Sequence, residues 1–146
     1  MRARDLLTDL PVIDLDSPVL DAAKLLIEQD LPGLIVVDDG SLFTILPETE
    51  VARLVIPGYC QDDPVLARVV DEAHADGFLH QLGGRTLRAC LPAQPRDLPI
   101  SAPDATVLQV AVLMMRTRSP LVAVVDGDRL LGALTLKTLL ERVLAA

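Results

Sequence analysis

Pro32 and Pro120 head two stretches that match without a gap at an offset of 88 residues. Under that offset Val36, Val37 and Asp38 meet Val124, Val125 and Asp126. Val19 meets Val107, Ala23 meets Ala111, Leu42 meets Leu130 and Leu46 meets Leu134. A fixed internal period constrains a chain strongly, because each copy must be one supersecondary unit. A unit of about 50 to 60 residues buries too little surface to be comfortably stable alone. The two copies are therefore expected to pack on each other.

Each copy reads in the same order: a helical pattern, a short apolar run, a tight polar turn, a second apolar run and a closing helix. The turns Asp38-Asp39-Gly40 and Asp126-Gly127-Asp128 put Gly and Asp where a hairpin needs positive φ. Short strands are expected at Val12 to Leu15 and Leu98 to Ser101. The helices that follow are expected to start at Asp16-Ser17-Pro18 and Ala102-Pro103-Asp104, where Asp or Ser can cap. Apolar residues then recur at helical spacing: Leu20, Ala23, Leu26 and Ile27 in copy one, Val107, Val110, Ala111 and Met114 in copy two. Glu48 to Val55 and Leu136 to Leu144 read as the closing helices. The fold class is α+β, with two βαββα halves around a pseudo-two-fold axis.

A lead-in helix precedes each copy. Arg4-Asp5-Leu6-Leu7 resembles Arg88-Ala89-Cys90-Leu91 at an offset of 84, so copy two carries four extra residues, expected as a surface loop near Gln94 to Asp97. Residues 1–58 form the first repeat, 59–84 a connecting helix opened by Asp62-Asp63-Pro64, and 85–146 the second repeat.

Composition narrows the partners. Apolar residues are 51% of the chain and aromatics 2%, so the core is built from aliphatic side chains. Stacking on nucleic-acid bases would fall to Phe43, Phe78 and Tyr59, and a net charge of −8 repels phosphate backbones, which argues against a nucleic-acid partner. The start has no signal-peptide run, and the apolar runs fall short of the roughly 20 residues that span a bilayer. A cytoplasmic protein is expected, with free thiols at Cys60 and Cys90 as the better reading and a disulfide between them as the other.

The second copy's SPLVAVVDGDRLLGALT is similar to the pattern of the cystathionine-β-synthase (CBS) domain family, and the resemblance spans everything but the connector. The first copy's LFTILPETE lacks the Gly and Thr of that pattern. The resemblance implies a pseudo-symmetric pair whose clefts bind adenosine-containing ligands such as AMP, ADP or ATP and regulate a separate enzyme, transporter or channel. It implies a ribose contact from a Gly-apolar-Thr/Ser-x-x-Asp step. In copy two that step holds Thr135, with Thr138 at the acid position; in copy one Pro47 replaces the hydroxyl and Glu50 keeps the acid. The base would lie against Pro99, Ile100 and Ser101 and the step Ser119-Pro120-Leu121. A phosphate would face Arg118, whose counterpart in copy one is Asp30.

Plainer readings stand beside these. Thr135 suits a helix cap as well as a ribose. Arg116 and Arg118 suit exposed salt bridges. His74 and His80 lack the spacing of paired metal ligands on one helix face, so no metal site is expected. Met114 and Met115 suit core or dimer packing, and Cys90 a buried thiol. No catalytic set is visible, so neither enzymatic activity nor a cofactor is expected. The alternative function is a ligand-free dimerisation or interaction module with degenerate clefts. A homodimer is expected in either case, covering Val51, Leu54 and Val55 of copy one and Leu139, Leu140 and Val143 of copy two.

Overall fold

The computed structural model describes residues 1–55, 84–95 and 97–145. The expected connecting helix, with Tyr59, Cys60, His74, Phe78 and His80, lies outside them. Copy one runs β1 (Val12–Asp14), α1 (Val19–Gln29), β2 (Gly33–Asp38), β3 (Ser41–Pro47) and α2 (Glu48–Val55). After the short helix α3 (Leu87–Cys90), copy two runs β4 (Ile100–Ser101), α4 (Val107–Thr117), β5 (Leu121–Asp126), β6 (Arg129–Thr135) and α5 (Leu136–Ala145). The sheets are β1-β2-β3 and β4-β5-β6, each with a parallel outer strand and an antiparallel hairpin. From β2 to β3 the 88-residue offset holds to the residue, down to a bulge at Val36/Val37 and again at Val124/Val125.

The first hairpin turns through Asp39 and Gly40, both at positive φ, as a type I′ turn requires; the second has Gly127 alone at positive φ. The run Leu34-Ile35-Val36 is buried on both sides of its strand, so the sequence is continuously apolar and does not alternate. Leu34, Val36 and Leu46 face Val19, Ala22 and Val51 of the covering helices. Ile35 and Ile45 face the other copy, in a shared layer with Leu121, Ala123 and Ala133.

That shared layer is built from unequal partners at equivalent positions. Gly33, Ile35 and Ile45 correspond to Leu121, Ala123 and Ala133, so each copy is bulky where the other is small. At Gly33 a Cβ would stand 2.5 Å from Leu121 Cδ2, 2.6 Å from the Leu46 carbonyl oxygen and 2.9 Å from Pro47 Cα. Glycine is required there by space.

The lead-in segments cross over. Residues Ala3–Leu6, a 3-10 turn where a lead-in helix was expected, dock on copy two: the Ala3 amide donates to the Ala105 carbonyl at 2.8 Å, and Ala3 and Leu6 are buried in the second core. Helix α3 docks on copy one. The Leu87 and Arg88 amides donate to the Ser17 and Leu15 carbonyls, and Leu87 is buried in the first core. The same ion pair locks both crossings. Arg88 Nε meets Asp16 at 2.7 Å and its Nη2 meets Asp38 at 2.8 Å, while Arg4 meets Asp104, the counterpart of Asp16, at 2.6 Å.

Hydrogen bonding to Arg88 holds the Asp16 carboxyl below its ordinary range. Such a group adds stability that is present above the unfolded pKa and is lost as pH falls through the lower folded value. Arg88→Gln should return the Asp16 titration, followed by NMR, toward the ordinary carboxylate range; an unmoved titration would show that the pair does not act on Asp16.

Three expectations are corrected. Helix α4 is capped by Thr106, not near Asp104: the Gln109 amide donates to Thr106 Oγ1 at 3.2 Å and the Thr106 amide to Gln109 Oε1 at 2.8 Å. That box needs a hydroxyl and an amide three residues apart, which Asp104 and Val107 cannot supply. The counterpart in copy one is Pro18, which gives α1 no side-chain cap. Val51 and Leu139, expected at a dimer surface, are buried in their own cores, and Leu54 and Val55 pack half-buried on the first; Leu140 and Val143 are exposed. Cys90 is a half-buried free thiol against the first core.

Candidate functional site

The residues expected to form a cleft in copy two come from three adjacent strand ends. Leu121 on β5 pairs with Thr135 on β6, and the Ala123 amide donates to the Pro99 carbonyl on the other side at 3.0 Å. The Leu136 amide donates to the Pro120 carbonyl at 2.8 Å, which ties the start of α5 to the start of β5. Sequence-distant segments thus meet at one end of the second sheet.

Thr135 and Thr138 meet directly. Thr135 Oγ1 accepts from the Thr138 amide at 3.2 Å, the geometry of a helix cap, and donates to Thr138 Oγ1 at 2.9 Å. Thr138 Oγ1 in turn lies 3.4 Å from Thr8 Oγ1. Thr8 reaches this place through the crossed lead-in segment, by a two-bond bridge to Ala133 on the free edge of β6. The result is a chain of three hydroxyls whose outer member is Thr8. With Thr135 donating to Thr138, the Thr138 hydrogen is left for Thr8, and the Thr8 hydrogen for an external acceptor. Thr8 escaped the sequence reading, since nothing local links residue 8 to residue 138.

The other expected residues are placed as follows. Ser119 is buried, its hydroxyl donating to the Leu121 carbonyl at 2.6 Å. Leu121 is buried against Gly33, Pro99 is buried, and Ser101 is buried with its hydroxyl on the Ala102 carbonyl. Ile100 is exposed and Pro120 half-buried. Arg118 is exposed at the C-cap of α4, at φ 53° in the left-handed region, its amide bonded to the Met114 carbonyl. Asp30 caps α1 in the same conformation at φ 50°. Glycine would adopt this geometry without strain, yet each copy keeps a charged side chain, of opposite sign. Copy one differs throughout its corresponding end. Thr44 stands where copy two has Gly132, Pro47 pairs with Gly33, and Glu50 is engaged by Arg53 at 3.4 Å.

One hollow adjoins Thr138 and another lies at the far, hairpin-tip end of the sheets. One of about 270 Å³ is bordered by Thr138, Leu7, Asp5, Glu141 and Arg142, slightly below the ~300–1,000 Å³ of ordinary small-molecule pockets. A larger one of about 610 Å³ opens between the two hairpin tips, with Val12, Gly40, Asp126, Asp128 and Arg129 at its edge, and contains none of the expected site residues. Of the expected site residues, Thr138 alone borders the smaller one.

A family model for the CBS domain matches residues 3–55 and 96–145. The chain belongs to the CBS domain family. The CBS fold agrees with solved structures. The chain is 48% identical to a CBS domain-containing protein of unknown function from Kribbella flavida DSM 17836, covering 99% of both chains with a TM-score of 0.79. It is 20% identical to CBSX2, solved in complex with AMP, over 99% of this chain and 96% of that one at a TM-score of 0.69. It is also 20% identical to the CBS domain pair of MJ0100, solved with 5′-methylthioadenosine and S-adenosyl-L-methionine, over 99% and 96% at 0.66. No curated protein sequence matches it significantly. Two CBS repeats thus account for both halves of the chain.

Proposed function

We propose that this CBS pair is a regulatory module that binds an adenosine-containing molecule at the copy-two end and modulates a separate effector protein in the cytoplasm, without catalysis of its own. The Thr8-Thr138-Thr135 hydroxyl chain carries the reading: it sets a donor and acceptor pair at a strand-end opening, as a ribose diol requires. CBSX2 and MJ0100, which bind AMP and adenosyl compounds, lend it support. Arg118 supplies the positive charge for a phosphate, where Asp30 in copy one repels it. No helix among the described residues is long and apolar enough to cross a membrane. A ligand regulates through its difference in affinity for two states of the module.

One observation favours the second reading, a ligand-free interaction module. The hydroxyls of Thr138, Thr135 and Ser119 already donate to one another, to Thr8 or to a carbonyl, and among the described residues no buried side-chain polar atom lacks a partner.

Calorimetry with AMP and adenosine separates the readings. Arg118→Glu should weaken AMP by about 1 to 3 kcal/mol, the size of a charged hydrogen bond, and leave adenosine nearly unchanged. Thr138→Asp should tighten both ligands, since a carboxylate there would accept from Thr8 and Thr135 and hold the diol with a charge. No heat and no thermal shift with millimolar AMP, ADP, ATP or S-adenosylmethionine would leave the interaction module standing.

A further inference from the structure

We infer that the hollow between the two hairpin tips binds a free basic amino acid, a ligand with two cationic groups, one carboxylate and an aliphatic stem. At about 610 Å³ it lies within the ~300–1,000 Å³ of ordinary small-molecule pockets. It is distinct from the strand-end site, because Thr135, Thr138 and Arg118 are all absent from its lining.

The charges at this hollow belong to copy two. Under the 88-residue offset Asp128 and Arg129 stand where copy one has Gly40 and Ser41, in hairpins of the same register. Asp126 corresponds to Asp38, which Arg88 holds at 2.8 Å. The counterpart of Arg88 is Arg4, which pairs with Asp104 and leaves Asp126 without an arginine. Asp126, Asp128 and Arg129 are exposed, and no ion pair or hydrogen bond among the described residues engages their side chains. Beside these three charges the hollow has an apolar wall. Val12 is 48% exposed there, and Val37 and Leu130 are half-buried.

The charge count selects the ligand. Two carboxylates and one guanidinium are matched by two cations and one anion, and the apolar wall by a hydrocarbon stem joining them. Arg129 offers the paired donors that a carboxylate takes. Asp126 and Asp128, which flank Gly127 in the turn, accept from an α-ammonium and from the cation of the side chain. Lysine, ornithine and arginine have this composition. A neutral amino acid leaves one aspartate unmatched, a diamine leaves Arg129 unmatched, and a nucleotide brings phosphates to a lining with more acid than base. Because Gly40 of copy one and the tip of copy two both border the hollow, the ligand bridges the repeats and favours the arrangement in which their tips face each other.

NMR titration of the full chain, read at the Gly40, Gly127 and Arg129 amides, tests the proposal. Millimolar lysine should shift these amides saturably. Norleucine, cadaverine and Nα-acetyl-lysine each lack one of the three charges and should bind at least about threefold more weakly, the scale of a solvent-accessible charge pair. Arg129→Gln should weaken lysine by a similar factor and leave cadaverine unchanged, while Asp126→Asn with Asp128→Asn should erase the preference for lysine over norleucine. Unmoved amides, shifts reproduced by sodium chloride of equal ionic strength, or displacement of lysine by AMP would each overturn the proposal. So would equal binding of Nα-acetyl-lysine, which stands in for the C-terminal lysine of a protein, or an Arg129→Gln loss shared equally by cadaverine. AMP is read separately at the Thr135 and Thr138 amides, so either site can fail while the other stands.

Discussion

Gly33→Ala is expected to destabilise the chain by about 3 kcal/mol, although it adds one methyl group to a strand. Overpacking a tight core costs ~1–3 kcal/mol and occasionally more. The upper end applies because two of the three clashing atoms, the Leu46 carbonyl oxygen and Pro47 Cα, are backbone and cannot rotate away. The third, Leu121 Cδ2, belongs to the residue that stands at the equivalent position of copy two. Leu121→Ala alone should cost roughly 2–5 kcal/mol by leaving a cavity. The double variant should cost less than the sum by about 1 kcal/mol, since the new methyl occupies space that Leu121 vacates. Urea unfolding of the four proteins measures this directly. Strict additivity would show that Gly33 and Leu121 do not compete for the same volume.

Leu87→Ala should be nearly as damaging, at about 2–5 kcal/mol, and its effect should appear in copy one. Leu87 is fully buried among Leu15, Val19 and Leu34 while belonging in sequence to the lead-in of copy two. Hydrogen exchange should report lost protection in β1 and α1 before β5 and β6. The matching test is a fragment of residues 1–58, which lacks α3 and its Leu87, Cys90 and Leu91 contacts and should be unfolded. A fragment with a cooperative transition would mean that the crossed helix is dispensable for the first core.

The strands and helices were legible because the repeat supplied two readings of each. Helix α2 runs over Glu48–Val55 as its pattern implies, and β2 and β5 follow from apolar runs bounded by turns. The crossing of the lead-in segments was not legible. The match of Arg4 to Arg88 says that the two segments are equivalent, and the same apolar spacing serves whichever copy they cover. The reciprocal sizes of Gly33, Ile35 and Ile45 against Leu121, Ala123 and Ala133 are written in the sequence, but they acquire meaning once the two sheets are known to face each other. Similarly, Thr135 and Thr138 were visible as a spaced pair on a helix start, whereas Thr8 joins them through a bridge between residues 8 and 133. Local pattern reports neighbours within a turn or two, and this hydroxyl chain is closed by a contact between residues 130 apart.

The crossed lead-in segments also set a timetable for synthesis. Ala3–Leu6 leaves the ribosome well before its seat, which includes Pro103 and Ala105, about 100 residues later. At ~5–20 residues per second that is a wait of roughly 5–20 s, during which the segment has no partner. The first core stays open until Leu91 has emerged. Neither repeat can be finished before the other has begun: the apolar seat on copy one stays available to chaperones until the lead-in of copy two arrives, and Ala3–Leu6 stays without its seat until copy two reaches Ala105.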